Sequence, residues 1–220
     1  GALNILILRF GFPMLGVSLA ALARLEGWGL FNVWPMPFIA SFALSIMLLD
    51  LTIWAQHRLF HRIPMLWRMH RMHHTDPDFD VTTAVRFHPF EAVLSMMIKS
   101  AVILLIGVDP LAFLTFELLL SSTSLFNHGN FRLPAGTDRV LRWFIVTPDM
   151  HRVHHSVLAR EQNSNFGFNL PWWDRLFGTY RDQPERGHEH MTIGTGDLET
   201  APDQKLTRLL AQPFRSIRET

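Results

Sequence analysis

The chain has 220 residues, 48% of them hydrophobic, a formal net charge of +1 and no cysteine. This length suits one domain, and residues 1–220 are predicted to form a single membrane domain. The lack of cysteine excludes disulfides, zinc–thiolate sites and cysteine-held iron–sulfur clusters. The small net charge predicts no nucleic-acid partner. Histidine is the unusual residue, because eight of the 12 lie in three short clusters.

Four apolar segments predict membrane-spanning helices, at about residues 3–25, 34–56, 90–108 and 110–127. A helix needs roughly 20 residues, with about 17 as the lower limit, to cross the hydrocarbon core of a bilayer. Residues 128–220 are more polar and are expected to be cytosolic. The predicted fold is therefore all-α, with a four-helix transmembrane anchor and a cytosolic helical cap. A soluble all-α protein with buried helices is the alternative that the composition leaves open.

The third and fourth segments are joined almost directly. Asp109 suits the N-cap of a helix and Pro110 its first turn, which predicts a tight helical hairpin. Lys99 lies nine residues before Val108 and Glu117 nine residues after it, so both charges fall at a similar depth. Charged side chains inside a bilayer pair with each other or face the protein interior. We therefore expect a structural ion pair between Lys99 and Glu117.

The membrane topology follows from where the histidines lie. They can meet on one side of the membrane only if the second, third and fourth segments all cross it. That side also carries most of the arginines, whereas the opposite loops carry only Arg24, Glu26 and Asp109. The positive-inside rule then predicts an integral multi-pass protein with its histidines on the cytoplasmic side.

The three histidine clusters are HRLFH at 57–61, HRMHH at 70–74 and HRVHH at 151–155. Helical residues three and four apart share a face, so HxxxH presents two imidazoles and HxxHH presents three. Neutral imidazole binds iron, zinc, copper and nickel. Because structural zinc takes about four ligands, eight or more indicate two metal ions with four or five imidazoles each. The predicted ligands in the clusters are His57, His61, His70, His73, His74, His151, His154 and His155.

His128 is predicted to be a ninth ligand. It lies at the end of the fourth segment, on the same helical face as Glu117, Ser121 and Ser124. Such a polar stripe in a membrane helix faces protein or water rather than lipid. The competing interpretation is a histidine that hydrogen-bonds to a metal ligand without binding the metal itself.

Three further residues are candidates for a metal ligand or for a group that supports one. His88 directly precedes Pro89 and is interpreted first as a helix N-cap. Asp50 lies seven residues before the first cluster on the same helical face, where a carboxylate orients a ligand or joins two helices. Asn127 directly precedes His128. Farther along, Asp174 is expected to anchor the C-terminal segment through an ion pair.

The sequence resembles the fatty acid hydroxylase/sterol desaturase superfamily between residues 39 and 180. It is similar in particular to the bacterial sterol-desaturase-like branch that includes alkylglycerol monooxygenase relatives. Besides the three clusters, the motifs that carry the resemblance are RFHPFE at 86–91, FNHGN at 126–130, PDMHRVHH at 148–155, NFG at 165–167 and WDRLFGT at 173–179.

This resemblance implies a membrane di-iron oxidoreductase of lipid metabolism that acts as a hydroxylase, desaturase or monooxygenase. It implies two iron ions, which zinc can replace, with O2 as co-substrate and a sterol, fatty acyl or ether lipid drawn from the bilayer. The implied electron donor is a b-type cytochrome, a ferredoxin or an NAD(P)H reductase. The nine histidines named above are the implied ligands, with no further catalytic residue. A non-catalytic zinc- or heme-handling membrane protein is the alternative function, because imidazole spacing alone also fits zinc.

Overall fold

Helices form the regular structure of the chain in the computed structural model, which describes residues 12–198 and 200–214. Within these residues the predicted all-α class is confirmed, and the β-pairing is a single isolated bridge between Ser156 and Ile193. Two 3-10 turns lie at Thr83–Val85 and Gln212–Phe214. The α-helices are α1 (Phe12–Leu25), α2 (Leu30–Val33), α3 (Phe38–Arg62), α4 (Pro64–His74), α5 (Pro89–Ile106), α6 (Pro110–Asn127), α7 (Ala135–Leu141), α8 (Pro148–His154), α9 (Ala159–Gln162), α10 (Trp172–Leu176) and α11 (Leu206–Ala211).

Three helical segments are long and apolar enough to cross a membrane: Phe12–Val33, Phe38–Arg62 and Pro89–Ile106. Helix α6 has 18 residues, as many as α5. It is less apolar because it carries Glu117 and the serine and threonine run at 121–124. The fourth helix of the predicted anchor therefore stays a prediction.

The helix boundaries differ from the predicted segments mainly at α3. This helix starts at Phe38 rather than near residue 34, with Pro37 in an extended conformation at its N-cap. It continues past residue 56 to Arg62, because the residues of the first histidine cluster pack into the protein interior instead of ending the helix. Of the first predicted segment, residues 3–11 lie outside the described residues.

The predicted hairpin between α5 and α6 is present. Gly107 ends α5 in the left-handed conformation, with φ of 75°, which glycine adopts without strain. The Asp109 side chain accepts hydrogen bonds from the backbone N–H groups of Leu111 and Ala112, and Pro110 is in the first turn. Lys99 Nζ lies 2.5 Å from Glu117 Oε1, and both side chains are buried. The two charges thus pair across the hairpin, as their equal distance of nine residues from Val108 predicts.

Helix α1 packs against both helices of this hairpin, and α3 packs against α6 on another side. Leu49, Ile103, Phe113 and Phe116 are fully buried in the shared core. Gly16 allows the close approach of α1, because a Cβ at this position would lie 2.2 Å from the Phe113 ring. The hairpin and α3 therefore form a fixed support beneath the histidine-bearing ends of the helices.

Two buried carboxylates attach the C-terminal region to α3. Asp50 accepts hydrogen bonds from Asn169 Nδ2 and Trp173 Nε1, both at 2.8 Å. Asp174 Oδ1 accepts a hydrogen bond from Trp54 Nε1 at 3.0 Å. The same oxygen accepts hydrogen bonds from Thr179 Oγ1 and Phe166 N, and Asp174 Oδ2 accepts one from Gly167 N.

The expected ion pair at Asp174 is wrong, since its partners in the described chain are neutral donors. Burial raises the pKa of the Asp174 carboxyl, and the hydrogen bonds from Thr179, Trp54 and the backbone oppose that rise. A buried carboxylate can be stabilised by several aligned donors instead of a cation.

The buried ion pair gives a prediction about stability. Lys99→Met leaves Glu117 buried without its partner, so we expect the free energy of unfolding to fall by about 3–5 kcal/mol. Replacing both residues, Lys99→Met with Glu117→Met, removes both charges and is expected to recover most of this loss. The measurement is the thermal unfolding midpoint in detergent micelles, followed by circular dichroism. Equal destabilisation of the single and double variants would contradict the expectation.

Candidate metal centre

The nine predicted ligands lie together in two adjacent groups, called site 1 and site 2. In each group, one ligand atom from every histidine lies within 4.8 Å of those of the others. All nine side chains are buried except His61, which is half-buried. Site 1 contains His57, His61, His70, His74 and His154, and site 2 contains His73, His128, His151 and His155. The division into five and four imidazoles suits two metal ions.

Helix α4 divides its three histidines between the two sites. His70 and His74 belong to site 1, whereas His73 belongs to site 2. The sequence predicted three imidazoles on one helical face and left open how they divide between two metal ions. At 3.6 residues per turn, positions i and i+4 diverge by only about 40°, while i+3 and i+4 diverge by about 100°. The i, i+4 pair therefore stays together and the third imidazole points to the neighbouring site.

Helix α8 makes the same division in the opposite sense. His151 and His155, the i, i+4 pair, belong to site 2, and His154 belongs to site 1. The remaining histidines come from helices that contribute to one site each. Helix α3 contributes His57 and His61 to site 1. The C-cap residue of α6, His128, belongs to site 2. Helices α4 and α8 therefore connect the two sites.

Backbone carbonyls orient four of the imidazoles. A carbonyl oxygen can only accept a hydrogen bond, so the ring nitrogen facing it must carry the proton. In each of these four rings that nitrogen is Nδ1, which leaves Nε2 with a free lone pair. The pairs are His57 with Phe166 O at 2.7 Å, His73 with Thr83 O at 3.0 Å, His128 with Ser124 O at 2.7 Å and His154 with Ser164 O at 2.7 Å.

The Nε2 atoms of several rings face one another at short range. His128 Nε2 lies 3.2 Å from His73 Nε2 and 3.1 Å from His151 Nε2. In site 1, His57 Nε2 lies 3.0 Å from His70 Nε2. Because His73 and His128 both donate through Nδ1, their facing nitrogens carry lone pairs that repel unless a cation lies between them. Two nitrogens bound to one ion at about 2.1 Å are separated by about 3.0–3.4 Å at right-angled to tetrahedral geometry.

Other ring nitrogens in these sites are buried without any hydrogen-bond partner in the described part of the chain. Buried polar atoms in native proteins are nearly always partnered, so this concentration is unusual. The atoms are His61 Nε2, both nitrogens of His74, His151 Nδ1, His154 Nε2 and both nitrogens of His155. Together with the facing lone pairs, they fit two bound metal ions.

Burial keeps these imidazoles in the neutral, metal-binding form. Desolvation lowers the pKa of His70 to about 3 and that of His128 to about 4. It also lowers the pKa of the other site histidines that lie outside the membrane-spanning segments, with a further lowering from neighbouring imidazoles. These residues are His73, His74, His151, His154 and His155.

Glu91 has a role that the sequence did not indicate. In the sequence Glu91 is only part of the RFHPFE motif at 86–91, but in the structure Glu91 Oε1 lies 2.7 Å from His70 Nδ1. A carboxylate behind a metal-binding histidine fixes the ring orientation and raises the basicity of the facing nitrogen. The sequence feature that could have indicated this contact is the location of Glu91, in the first turn of a helix that starts at the level of the histidine clusters.

The three other candidates lie outside both sites. His88 caps α5, because its Nδ1 accepts a hydrogen bond from Phe90 N at 3.2 Å. Asn127 Nδ2 donates to Phe168 O at 3.0 Å. Asp50 contacts Asn169 and Trp173, as described above, so it attaches the C-terminal region rather than orienting a histidine.

A cavity of about 160 Å³ extends from site 1 between α3, α5 and α6. His57 and His70 line it at the site-1 end, and Lys99 and Glu117 line it farther along the helices. Most of the remaining wall is apolar. This cavity gives site 1 access to space within the helical region.

Comparison with known proteins identifies similar chains. A family model described as fatty acid hydroxylase matches residues 42–179, a range that contains all nine histidines. The relatives include ornithine lipid hydroxylase OlsE of Rhizobium tropici, 30% identical over 181 residues. Alkylglycerol monooxygenase of Xenopus tropicalis is 29% identical over 157 residues, and cholesterol 25-hydroxylase of Mus musculus is 28% identical over 145 residues.

These matches cover most of this chain but only part of each relative. They cover 82%, 70% and 64% of this chain, in the order given, and 52%, 33% and 47% of the relatives. The chain thus spans about half or less of the length of these curated relatives. No solved structure matches it.

The two sites can be separated by substitution. His74 and His155 are the best positions, because both nitrogens of each ring lack a hydrogen-bond partner and substitution breaks no such bond. We expect the wild type to retain two metal ions per chain. His74→Ala is expected to release the ion of site 1 and His155→Ala that of site 2, with affinity losses of at least roughly 10–100-fold. The exposed His190 supplies the control, His190→Ala, which should retain two ions.

The measurement is elemental analysis after gel filtration in metal-free buffer. Loss of one ion from each single variant is the expected result. Two ions retained by either variant would contradict its assignment as a ligand, and two ions lost from both would contradict the separation into two sites.

The lowered pKa values also predict how the metal-free protein responds to pH. The pKa values of His70 and His128 in the folded chain, about 3 and about 4, lie below the unfolded value of 6.5. Below that unfolded value the unfolded chain binds protons that the folded chain excludes, so stability falls with falling pH. We expect a constant unfolding midpoint above about pH 7 and a progressive fall from about pH 6.5 towards pH 4.

The measurement compares thermal unfolding of metal-free and zinc-loaded protein across this pH range. Zinc should preserve the midpoint to lower pH, because bound metal competes with protons for the same lone pairs. A metal-free protein with the same midpoint at about pH 7.5 and about pH 5.5 would contradict the prediction.

Proposed function

This chain belongs to the fatty acid hydroxylase family, and on that premise we propose that it is a membrane di-iron oxygenase that hydroxylates or desaturates a lipid. The observation that carries the proposal is the pair of adjacent sites with five and four neutral imidazoles. The names of the relatives, two hydroxylases and a monooxygenase, support an oxidoreductase.

Iron is the proposed metal at both sites, with zinc as a substitute that fits the same nitrogens. Site 1 would hold its ion through His57, His61, His70, His74 and His154, and site 2 through His73, His128, His151 and His155. When bound, the two irons would supply the activation of O2 and the oxidation of an unactivated C–H bond, chemistry that side chains do not supply. The chain's own residues orient the ligands and keep the centre dry.

Aromatic side chains contribute to that exclusion of water. The ring centroids of Phe166 and Phe168 lie 5.5 Å and 4.9 Å from that of His57. The Phe79 ring lies 4.8 Å from that of His155, against site 2. All three phenylalanines are buried. A water-excluding site strengthens electrostatic interactions and prevents side reactions of reactive species.

A lipid is the proposed substrate, and the cavity beside site 1 is its proposed binding place. By name, the three relatives concern an ornithine lipid, an alkylglycerol and cholesterol, which share only their lipid character. The cavity lies between helices α3 and α5, both long and apolar enough to cross a membrane, so a lipid could reach it from the bilayer.

We further propose four membrane spans, with α6 as the fourth, and the metal centre on the cytoplasmic side. The pairing of Lys99 with Glu117 supports this, because it compensates both charges within the membrane. The arginines near the histidine-bearing ends support the cytoplasmic side. Electrons would come from a b-type cytochrome, a ferredoxin or an NAD(P)H reductase.

The test compares lipid extracts of cells that produce the wild type, His154→Ala or the control His190→Ala. We expect the wild type and the control to produce a lipid that has gained one oxygen atom or lost two hydrogen atoms. His154→Ala should reduce that product at least roughly 100-fold, because site 1 loses a ligand. Anaerobically purified wild type should contain two irons per chain and consume O2 with a reductant. Tightly held zinc, with no iron-dependent lipid change, would favour a non-catalytic metal-handling protein.

A further inference from the structure

Six large apolar side chains lie exposed near the end of α7 and on α10, in the region that follows the long apolar helices. Each is between 42% and 69% exposed, so the fold leaves all of them accessible. A surface that keeps neighbouring large apolar residues uncovered usually binds a protein or a membrane. These six residues, called the apolar patch, are Val140, Trp143, Phe144, Trp172, Leu176 and Phe177.

Direct contacts hold the two halves of the apolar patch together. Trp172 Nε1 donates a hydrogen bond to the carbonyl oxygen of Trp143 at 2.7 Å. The guanidinium of Arg175 on α10 lies 4.0 Å from the centroid of the Trp143 ring. It also donates a hydrogen bond to Arg142 O, at the end of α7, at 3.1 Å. The turn after α7 and helix α10 therefore belong to one surface.

The apolar patch adjoins α3 at the depth where this helix would leave the membrane. The Phe177 ring stacks on the ring of Trp54, with 4.6 Å between the two centroids. Helix α3 starts at Phe38, and crossing the hydrocarbon core takes roughly 20 residues, so its far edge lies at about residue 57. Trp54 is within one helical turn of that edge. The patch therefore lies beside α3 at the level of the membrane–water boundary.

The charges beside the patch suit lipid headgroups. The guanidinium of Arg58 lies 5.3 Å from the centroid of the Trp54 ring, and that of Arg175 lies over Trp143. Among the described residues, the ion pairs involve neither of these arginines. Tryptophan is enriched at the membrane–water boundary, and arginine binds phosphate groups. Both features point to a bilayer rather than to an apolar protein surface.

We propose that the apolar patch is inserted into the headgroup layer of the bilayer, in the leaflet where α3 ends. Helices α7 and α10 have seven and five residues. Both are too short to cross a membrane, so they lie along its surface. The C-terminal region thereby gains a membrane contact of its own, in addition to the spanning helices. The inference needs α3 to cross the membrane, but it does not depend on the proposed oxygenase activity.

This contact also supports site 1. Asp174 is on α10 and accepts a hydrogen bond from Phe166 N at 2.9 Å. The carbonyl of the same Phe166 lies 2.7 Å from His57 Nδ1. A bilayer that holds α10 therefore holds the segment that orients one of the histidines.

The test measures the depth of single spin labels, which the absence of cysteine allows. Phe144→Cys and Leu176→Cys each carry one nitroxide, in zinc-loaded protein held at one chain per phosphatidylcholine nanodisc. Relaxation of the nitroxide by O2, which concentrates in the bilayer, is compared with relaxation by a water-soluble nickel chelate. Met97→Cys, at an exposed position of α5, is the reference for lipid. His190→Cys, at an exposed position in a charged segment, is the reference for water.

We expect the labels at positions 144 and 176 to lie about 5–10 Å below the surface of the headgroup layer. O2 should relax both of them more strongly than nickel does, as at position 97, and the label at position 190 should show the reverse order. A zinc content of two per chain verifies that each labelled variant retains its fold around the histidines.

Nickel relaxation at positions 144 and 176 as strong as that at position 190 would overturn the inference, because the patch would then face water. Weak relaxation by both reagents would also overturn it and indicate that protein covers the patch. Strong nickel relaxation at position 97 would contradict the membrane position of the helices, and the inference with it. The measurement requires neither iron nor turnover, so an active oxygenase with a water-exposed patch contradicts only the inference about the patch.

Discussion

The hydrogen bonds from imidazole Nδ1 to backbone carbonyls are the constraint on which the candidate metal centre depends. Each of them fixes both the orientation of a ring and the nitrogen that keeps its lone pair. The accepting carbonyls belong to Thr83, Ser124, Ser164 and Phe166, which lie in three separate parts of the chain. Because only the Ser124 carbonyl lies within an α-helix, α6, the segments that carry the other three carbonyls must be positioned as accurately as the helices that carry the histidines.

Asp174 explains how one of these loops is held. It accepts hydrogen bonds from the N–H groups of Phe166 and Gly167 and from the indole of Trp54 on α3. The Phe166 carbonyl, which orients His57 from the same helix, is thereby fixed relative to α3 itself. Asp50, one helical turn before Trp54 on α3, accepts hydrogen bonds from Asn169 and Trp173 and so attaches the same region to α3. Asp174 touches no metal-site imidazole, yet it fixes the carbonyl that orients His57. Supporting groups of this kind orient the ligands in metal proteins.

The sequence was sufficient to predict the nine histidines that come together and the helical hairpin, because both depend on local spacing. HxxxH and HxxHH need only helical periodicity, and Asp109 followed by Pro110 needs only cap chemistry. The division of HRMHH between two sites was not predicted, because it depends on where α3 and α8 lie around α4. The contacts of Glu91 with His70 and of Asp174 with Trp54 span 21 and 120 residues. No local pattern encodes such pairings, so the sequence could not predict that Asp174 has neutral hydrogen-bond donors as partners instead of a cation.

The opposite division of the two HxxHH clusters couples the sites to each other. Helix α4 gives two histidines to site 1 and one to site 2, and α8 gives one to site 1 and two to site 2. Neither site is complete unless α8 packs against the earlier helices. One of these, α4, ends more than 70 residues before α8 begins. Because metal bound at the proposed sites would stabilise only the assembled arrangement, its affinity would include the free energy of joining the C-terminal region to the helical support. The carboxylates Asp50 and Asp174 reduce that cost by attaching the same region independently of the metal.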